Sequence, residues 1–136
     1  MQGRAFLDLS RELLLGKTEA HWRAAVIHAY YGLFLECRDA QTRWGLPTPP
    51  RHSVHAQVRL RFAYATDAQL KKIGDALDRL IRHRNRASYD LATIAAFGSS
   101  SFAQQMEKLA SDALSWLDQI DNDPLRRAAA IASLPP

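Results

Sequence analysis

Residues 18–44 read TEAHWRAAVIHAYYGLFLECRDAQTRW, and this stretch decides the fold. Trp22, Val26, Ala29, Leu33, Cys37, Ala40 and Trp44 recur at steps of three and four, the spacing that lines side chains along one face of an α-helix. Ile27, Tyr30, Tyr31 and Phe34 add a second apolar line beside the first. A helix apolar over so wide an arc packs on several sides, so it belongs at the centre of a domain. Thr18 is its expected N-cap, because a hydroxyl can accept one of the free N–H groups of the first turn. The helix is expected to run to about Trp44 and to stop at Gly45-Leu46-Pro47-Thr48-Pro49-Pro50, a stiff loop.

Outward from this centre the helical period continues. A first helix is expected from about Arg4 to Leu15, with Phe6, Leu9 and Leu13 on one face and Gly16 as its stop. A third runs from about Ser53 to Tyr64, with Val54, Val58 and Phe62 four apart. Thr66-Asp67 caps a fourth, whose core stripe is Leu70, Ile73, Leu77, Leu80 and Ile81 and which reaches Ala87 or Ser88. Asp75 with Arg79, and Asp78 with Arg82, are acid-before-base pairs one turn apart that suit its exposed side. A mixed segment from Asp90 to Ser101 leads to a fifth helix carrying Phe102, Met106, Leu109, Ala113, Trp116, Leu117 and Ile120. Asn122-Asp123-Pro124 breaks it, and a short alanine-rich helix from about Leu125 to Ala132 is expected to dock on the bundle or on a partner. No segment alternates as a strand does. The expected class is all-α: one domain, residues 1–136, an up-and-down bundle of four to five antiparallel helices with a short C-terminal helix.

The totals agree. A chain of 136 residues fits one domain, and at this size about two-thirds of the unfolded surface can be buried. Its 47% hydrophobic content is that of a globular protein. The lone Cys37 can form no internal disulfide, and with no CxxC pair there is no zinc framework, which fits a reducing cytoplasm. The start, Met1 to Asp8, has no long apolar run and carries an early acid, so no signal peptide is expected there. No stretch approaches the ~20 apolar residues of a membrane span. Eighteen Lys+Arg against 14 Asp+Glu give a formal charge of +4, which permits an anionic partner without requiring one.

The chemistry concentrates at the end of the fourth helix, Arg82-His83-Arg84-Asn85-Arg86-Ala87-Ser88-Tyr89-Asp90. Arg84 falls where the apolar stripe would continue, and Asn85, four after Ile81, also points inward. A guanidinium on that seam must be paired or must face a cleft, because an unpaired buried charge is too costly. One reading is structural: Arg84 meets a carboxylate such as Glu36 or Asp90, while Arg82 and Arg86 are solvated and favour the helix dipole. The other is an anion site, with Arg82, His83, Arg84 and Arg86 meeting phosphate, Asn85 orienting a ribose or phosphate oxygen, and Tyr89 donating a hydrogen bond or stacking on a base.

Three motifs carry a family resemblance. His28-Ala29-Tyr30-Tyr31-Gly32-Leu33-Phe34-Leu35-Glu36 resembles the AYYAMF-type helix of the HEPN superfamily (higher eukaryotes and prokaryotes nucleotide-binding). Arg51-His52-Ser53-Val54 resembles its KHSGV-like stretch, and Arg84-Asn85-Arg86-Ala87-Ser88-Tyr89-Asp90-Leu91 its RNxADYDL-type signature. The similarity spans about residues 6 to 120. It implies an antiparallel helical bundle, often a homodimer, with the arginine-bearing helix ends at the dimer cleft. It also implies RNA or nucleotide binding, and for many members metal-independent endoribonuclease activity. Bacterial members often act as toxins beside a small nucleotidyltransferase. The active motif of such ribonucleases is an Arg, a polar neighbour, and a His four to six residues on. Carried over, Arg84 and Asn85 match, but Tyr89 stands where the histidine is expected, and no histidine follows His83. A phenol keeps its proton at neutral pH and is a poor base. His83, adjacent to Arg84, points about 100° away on the helix. The resemblance therefore implies an Arg84–Asn85–Tyr89 site that recognises RNA or a nucleotide, with cleavage as the alternative and a structural interaction module as a third possibility. It implies no cofactor and no metal.

Other groups read as structural. His52 and His55, three apart, have no acid or cysteine cluster beside them, so surface or capping roles are expected rather than metal binding. His28 is expected as a hydrogen-bonded inner residue. Tyr30 and Tyr31 suit either a cleft or a core with satisfied hydroxyls. Glu36 and Asp39 are expected to pair with Arg43 or Arg23, and Cys37 to be a small buried hydrophobe. Gly16-Lys17-Thr18 is a helix stop followed by a cap, since the leading glycine of a phosphate loop is missing.

Overall fold

The computed structural model describes residues 1–92 and 94–136, and among them all regular structure is helical. Six α-helices follow one another: α1 (Arg4–Leu13), α2 (Glu19–Arg43), α3 (Val54–Ala63), α4 (Ala68–Tyr89), α5 (Ser101–Asp121) and α6 (Pro124–Ala132). Short 3-10 turns occupy Arg51–Ser53 and Ala95–Phe97. The mixed segment from Asp90 to Ser101 is the connection between α4 and α5, and one of its positions lies outside the described residues. None of the described helices is long and apolar enough to cross a membrane.

The central helix is α2, which packs against α1, α3, α4 and α5. Val26, Ala29, Leu33, Cys37 and Ala40 are fully buried, as are Tyr30 and Phe34 of the second apolar line, while Trp22 and Trp44 at the ends are half-buried. Thr18 accepts the N–H of His21 and so caps the helix. The α1 face is shifted from the expected one. Leu7 and Ser10 are its buried residues, with Phe6, Leu9 and Leu13 at the margin. The shift has a polar cause: the Ser10 hydroxyl donates to the Ala25 carbonyl at 2.7 Å, so a buried hydroxyl is satisfied where α1 meets α2.

The α3–α4 contact is built on absence of a side chain. A Cβ on Gly74 would lie 2.6 Å from the backbone nitrogen of Ala63, so only glycine lets α4 come this close to α3. Leu70, Ile73, Leu77 and Leu80 of α4 are buried, and Ile81 is half-buried. Asp67 caps α4 by accepting from the N–H groups of Gln69 and Leu70. The short α6 docks on the bundle itself: Ala130 is buried, and Arg126 donates to Asp67 at 2.6 Å and 3.0 Å. These hydrogen bonds, led by Arg126, hold the Asp67 carboxyl below its ordinary pKa. A single carboxylate thus starts α4 and anchors the end of the chain.

Candidate functional site

The end of α4 is held by an arginine of α2. Arg23 is buried, and its Nη1 lies 3.2 Å, 3.1 Å and 2.7 Å from the carbonyl oxygens of Arg86, Ala87 and Asp90. Its guanidinium also lies 4.5 Å from the Phe97 ring centroid. A helix C-terminus leaves carbonyls without partners and carries partial negative charge, and a buried cation answers both. The expected pairing of Arg23 with Glu36 or Asp39 does not occur. Glu36 accepts from Arg4 at 2.9 Å, and Asp39 from Arg38. Burial pushes the Glu36 carboxyl up, but the Arg4 hydrogen bonds outweigh it and hold the group below its ordinary value. Arg43 pairs with Asp121 instead.

Glu36 being engaged elsewhere decides the structural reading of Arg84. Arg84 is half-buried and forms no ion pair among the described residues. Asp90 does not reach it either, its carboxylate accepting from the N–H of Ala92. The Arg84 Nη2 donates to the Tyr31 hydroxyl at 2.6 Å and Nη1 to Asn85 Oδ1 at 3.0 Å. Its Nε is buried with no hydrogen-bond partner. The guanidinium carbon lies 5.2 Å from the Tyr31 ring centroid and 5.7 Å from that of Tyr89, so two aromatic rings take the place of a carboxylate. With two of five N–H groups engaged, one on each terminal nitrogen stays free for an acceptor.

A cleft of about 360 Å³ opens between α2, α3 and α4 beside this arginine. Its walls include Tyr30, His55, Arg59, Ile81, Arg82 and Asn85. That volume lies within the range of small-ligand sites, about 300–1,000 Å³. Arg59 and Arg82 both donate to the one carboxylate of Asp78, so that trio keeps an excess positive charge. Arg84 adds a second excess charge, joined to the cleft through Asn85.

His55 stands on the same wall. Its Nδ1 shares a hydrogen bond of 2.6 Å with the hydroxyl of buried Tyr30, and its ring stacks on Phe34 with centroids 4.2 Å apart. The Tyr31 ring, which carries Arg84, meets His55 edge-on at 6.2 Å. Burial, and then the charge of Arg84, pull the imidazole below the ordinary histidine pKa of 6.5. Burial likewise pushes the Tyr30 phenol up, so both groups are neutral at pH 7.

The structure divides the residues picked from the sequence. Asn85 and Arg82 line the cleft, and Asn85 is exposed rather than turned inward as its helical position suggested. Arg84 lies beside them. Tyr89 is 73% exposed and meets the cleft only through the Arg84 cation. His83 and Arg86 belong to another face: His83 packs edge-on against Phe102 of α5 at 4.8 Å and accepts from Arg86. The sequence reading missed His55, Arg59, Tyr31 as the partner of Arg84, and Arg23. No spacing rule links them, since they come from α2 and α3 and meet α4 only through packing. His52 is exposed in the 3-10 turn before α3, apart from the His55 environment. His28 corrects another expectation: it stacks on Phe6 at 5.5 Å, and its buried Nδ1 has no hydrogen-bond partner. Cys37 is buried, and burial pushes its thiol up, which keeps it an inert hydrophobe.

Comparison with known proteins adds no name to this geometry: no family model, curated protein or solved structure matches the chain.

Proposed function

We propose that this chain binds the phosphate groups of RNA or of a nucleotide in the α2–α3–α4 cleft, with Arg84 as the principal anion contact. One observation carries the reading: Arg84 is a half-buried guanidinium with no carboxylate on it, held by two tyrosines beside a cleft bordered by two further arginines. Arginine's planar fork suits phosphate oxygens, and a cation already partly desolvated loses little more on meeting one. Asn85 orients the guanidinium and offers its amide nitrogen to a ribose or phosphate oxygen. Tyr89, exposed at the rim, offers a face for a base.

The HEPN-like motifs of the sequence extend this proposal. On that reading the helices form an antiparallel up-and-down bundle, two copies pair with their arginine-bearing helix ends facing, and the chain works in the cytoplasm beside a nucleotidyltransferase in a toxin–antitoxin or defence module. A second reading, a metal-independent endoribonuclease, is favoured by the His55 imidazole on the wall of this cleft, which supplies the kind of group that Tyr89 does not.

Filter retention of labelled single-stranded RNA at low salt tests the proposal. The expected result is retention that falls in Arg84→Ala, with 5′-nucleotides competing for the site. An absence of retention by the wild type leaves only a structural interaction module. An adjacent nucleotidyltransferase reading frame is the observation expected for the paired module.

A further inference from the structure

The face of α4 turned away from the cleft carries basic groups that the phosphate site does not use. We propose that the groove between α4 and α5 is the docking site for an acidic amphipathic helix of a partner protein. The inference stands apart from the anion-binding reading, because it uses other residues on another face.

The sequence sets up two rows. Phe102, Leu109 and Trp116 of α5 stand seven residues apart, as do Lys72, Arg79 and Arg86 of α4. Seven residues are close to two helical turns, so each row keeps to one face in steps of about 10.5 Å. The structure brings the rows together along one groove. At one end Lys72 Nζ lies 5.9 Å from the Trp116 ring centroid. At the other, His83, one turn from both Arg79 and Arg86, packs on Phe102 at 4.8 Å. Between them a hollow of about 280 Å³ is lined by Arg79, Gln105, Leu109 and the buried Met106. Phe102, Leu109 and Trp116 are only half-buried, an apolar line that the rest of the chain leaves partly uncovered. An apolar row with a seven-residue repeat and a hole at its middle suits the side-chain knobs of another helix.

Charge selects the occupant. Lys72, Arg79 and Arg86 are exposed, and none forms an ion pair among the described residues. Asp75, whose spacing predicts a pair with Arg79, does not form it. On the α5 side Lys108 and Asp112 neutralise each other at 2.8 Å. Three bases against the single acid Asp75 leave the α4 border positive, which steers and orients an acidic partner. An RNA strand fits this face less well. Its bases need open ring faces, whereas Lys72 lies over Trp116, and His83 and Phe97 both pack T-shaped against Phe102. Leu109, at the centre, matches an apolar side chain and not a phosphate. From Phe102 to Trp116 the row spans about 21 Å. The occupant is therefore a helix of about four turns, apolar along one stripe, with Asp or Glu on the border that faces α4.

The test uses the full chain and a labelled synthetic helix of about 18 residues, with leucines on the heptad stripe and glutamates beside them. One control peptide has the same composition scrambled, and another has lysines for the glutamates. Fluorescence anisotropy at low salt should show saturable binding of the acidic helix alone. Arg79→Glu and Leu109→Glu should each weaken it by about tenfold or more, while Arg84→Ala, on the other face, leaves it at wild-type strength. Amide shifts in NMR spectra should move at Arg79, Phe102, Leu109 and Trp116. No binding, equal binding of either control peptide, or shifts confined to the α2–α3–α4 cleft overturns the proposal. So does RNA that moves the amides from Phe102 to Trp116, which makes the groove a nucleic-acid track. A dimer that Leu109→Glu dissociates also overturns it, since the occupant is then a second copy. Arg79 is exposed, so Arg79→Glu is expected to fold, and its melting curve checks that. Peptide binding and RNA retention are separate measurements, so this inference and the anion-binding reading fail separately.

Discussion

Arg23 and Arg84 are two guanidinium groups of opposite kind at the same end of α4. Arg23 spends its donors on the carbonyls of Arg86, Ala87 and Asp90 and is closed to a ligand. Arg84 spends two on a hydroxyl and an amide and stays open. The first fixes the backbone on which the second stands. Arg23→Met is expected to destabilise the fold by about 2–3 kcal/mol, the size of a buried charged hydrogen-bond set lost at a helix end. It should also loosen the segment from Arg86 to Ala92, and hydrogen exchange of those amides measures that directly. Unchanged stability with unchanged exchange contradicts the role. The sequence showed that Arg84 lies on an apolar seam and needs an answer. It did not show which answer, because Glu36 is removed from the choice by Arg4, 32 residues away. Long-range pairing of that kind leaves no local spacing to read.

The elements were legible where period and punctuation agree. The apolar lines of α2 and α4 and the caps Thr18 and Asp67 stand where the sequence puts them. The α1 face was misread because Ser10, a polar residue, is the one that is buried. The cleft was not legible at all, because it depends on how closely α3 and α4 approach. Gly74→Ala tests that dependence. In an open helix this change stabilises by about 1 kcal/mol, but here the new Cβ would meet the Ala63 backbone at 2.6 Å. The expected sign is therefore reversed, with a loss of about 1–3 kcal/mol from overpacking, read by denaturant unfolding. A gain in stability contradicts the close packing. Asp67→Ala removes the α4 cap and the Arg126 anchor together, with an expected loss of about 1–2 kcal/mol for the cap alone. Arg126→Ala should give only the smaller part of that loss, since Arg126 does not cap the helix.

At the scale of the whole molecule, proton binding couples site and fold. His28, His55 and His83 all have folded pKa values below the ordinary 6.5: His28 through burial, His55 through burial and Arg84, His83 through burial and then Arg86, Arg79 and Arg82. The unfolded chain therefore takes up protons before the folded one does. Stability is full above the ordinary histidine value and is lost as pH falls from there through the folded values. The carboxyls of Glu36, Asp67 and Asp121, held low, give up their contributions only as pH falls below their ordinary values of 4.5 and 3.8. The window between about pH 5 and 6.5 thus belongs to the histidines. Denaturant midpoints should be flat between about pH 7 and 8 and fall through that window, with a shallower fall in His28→Gln and His83→Gln. Equal midpoints at pH 7 and pH 5 contradict the sign.

The central claim is that Arg84 is a cation left open for phosphate. Its most direct test is the salt dependence of RNA binding, followed by fluorescence anisotropy for the wild type and Arg84→Ala. The account predicts that the mutant binds about tenfold more weakly at low salt and that the slope of log affinity against log salt shrinks by about one phosphate contact. Identical affinity and slope in the two proteins, or no binding by the wild type at low salt, would contradict it.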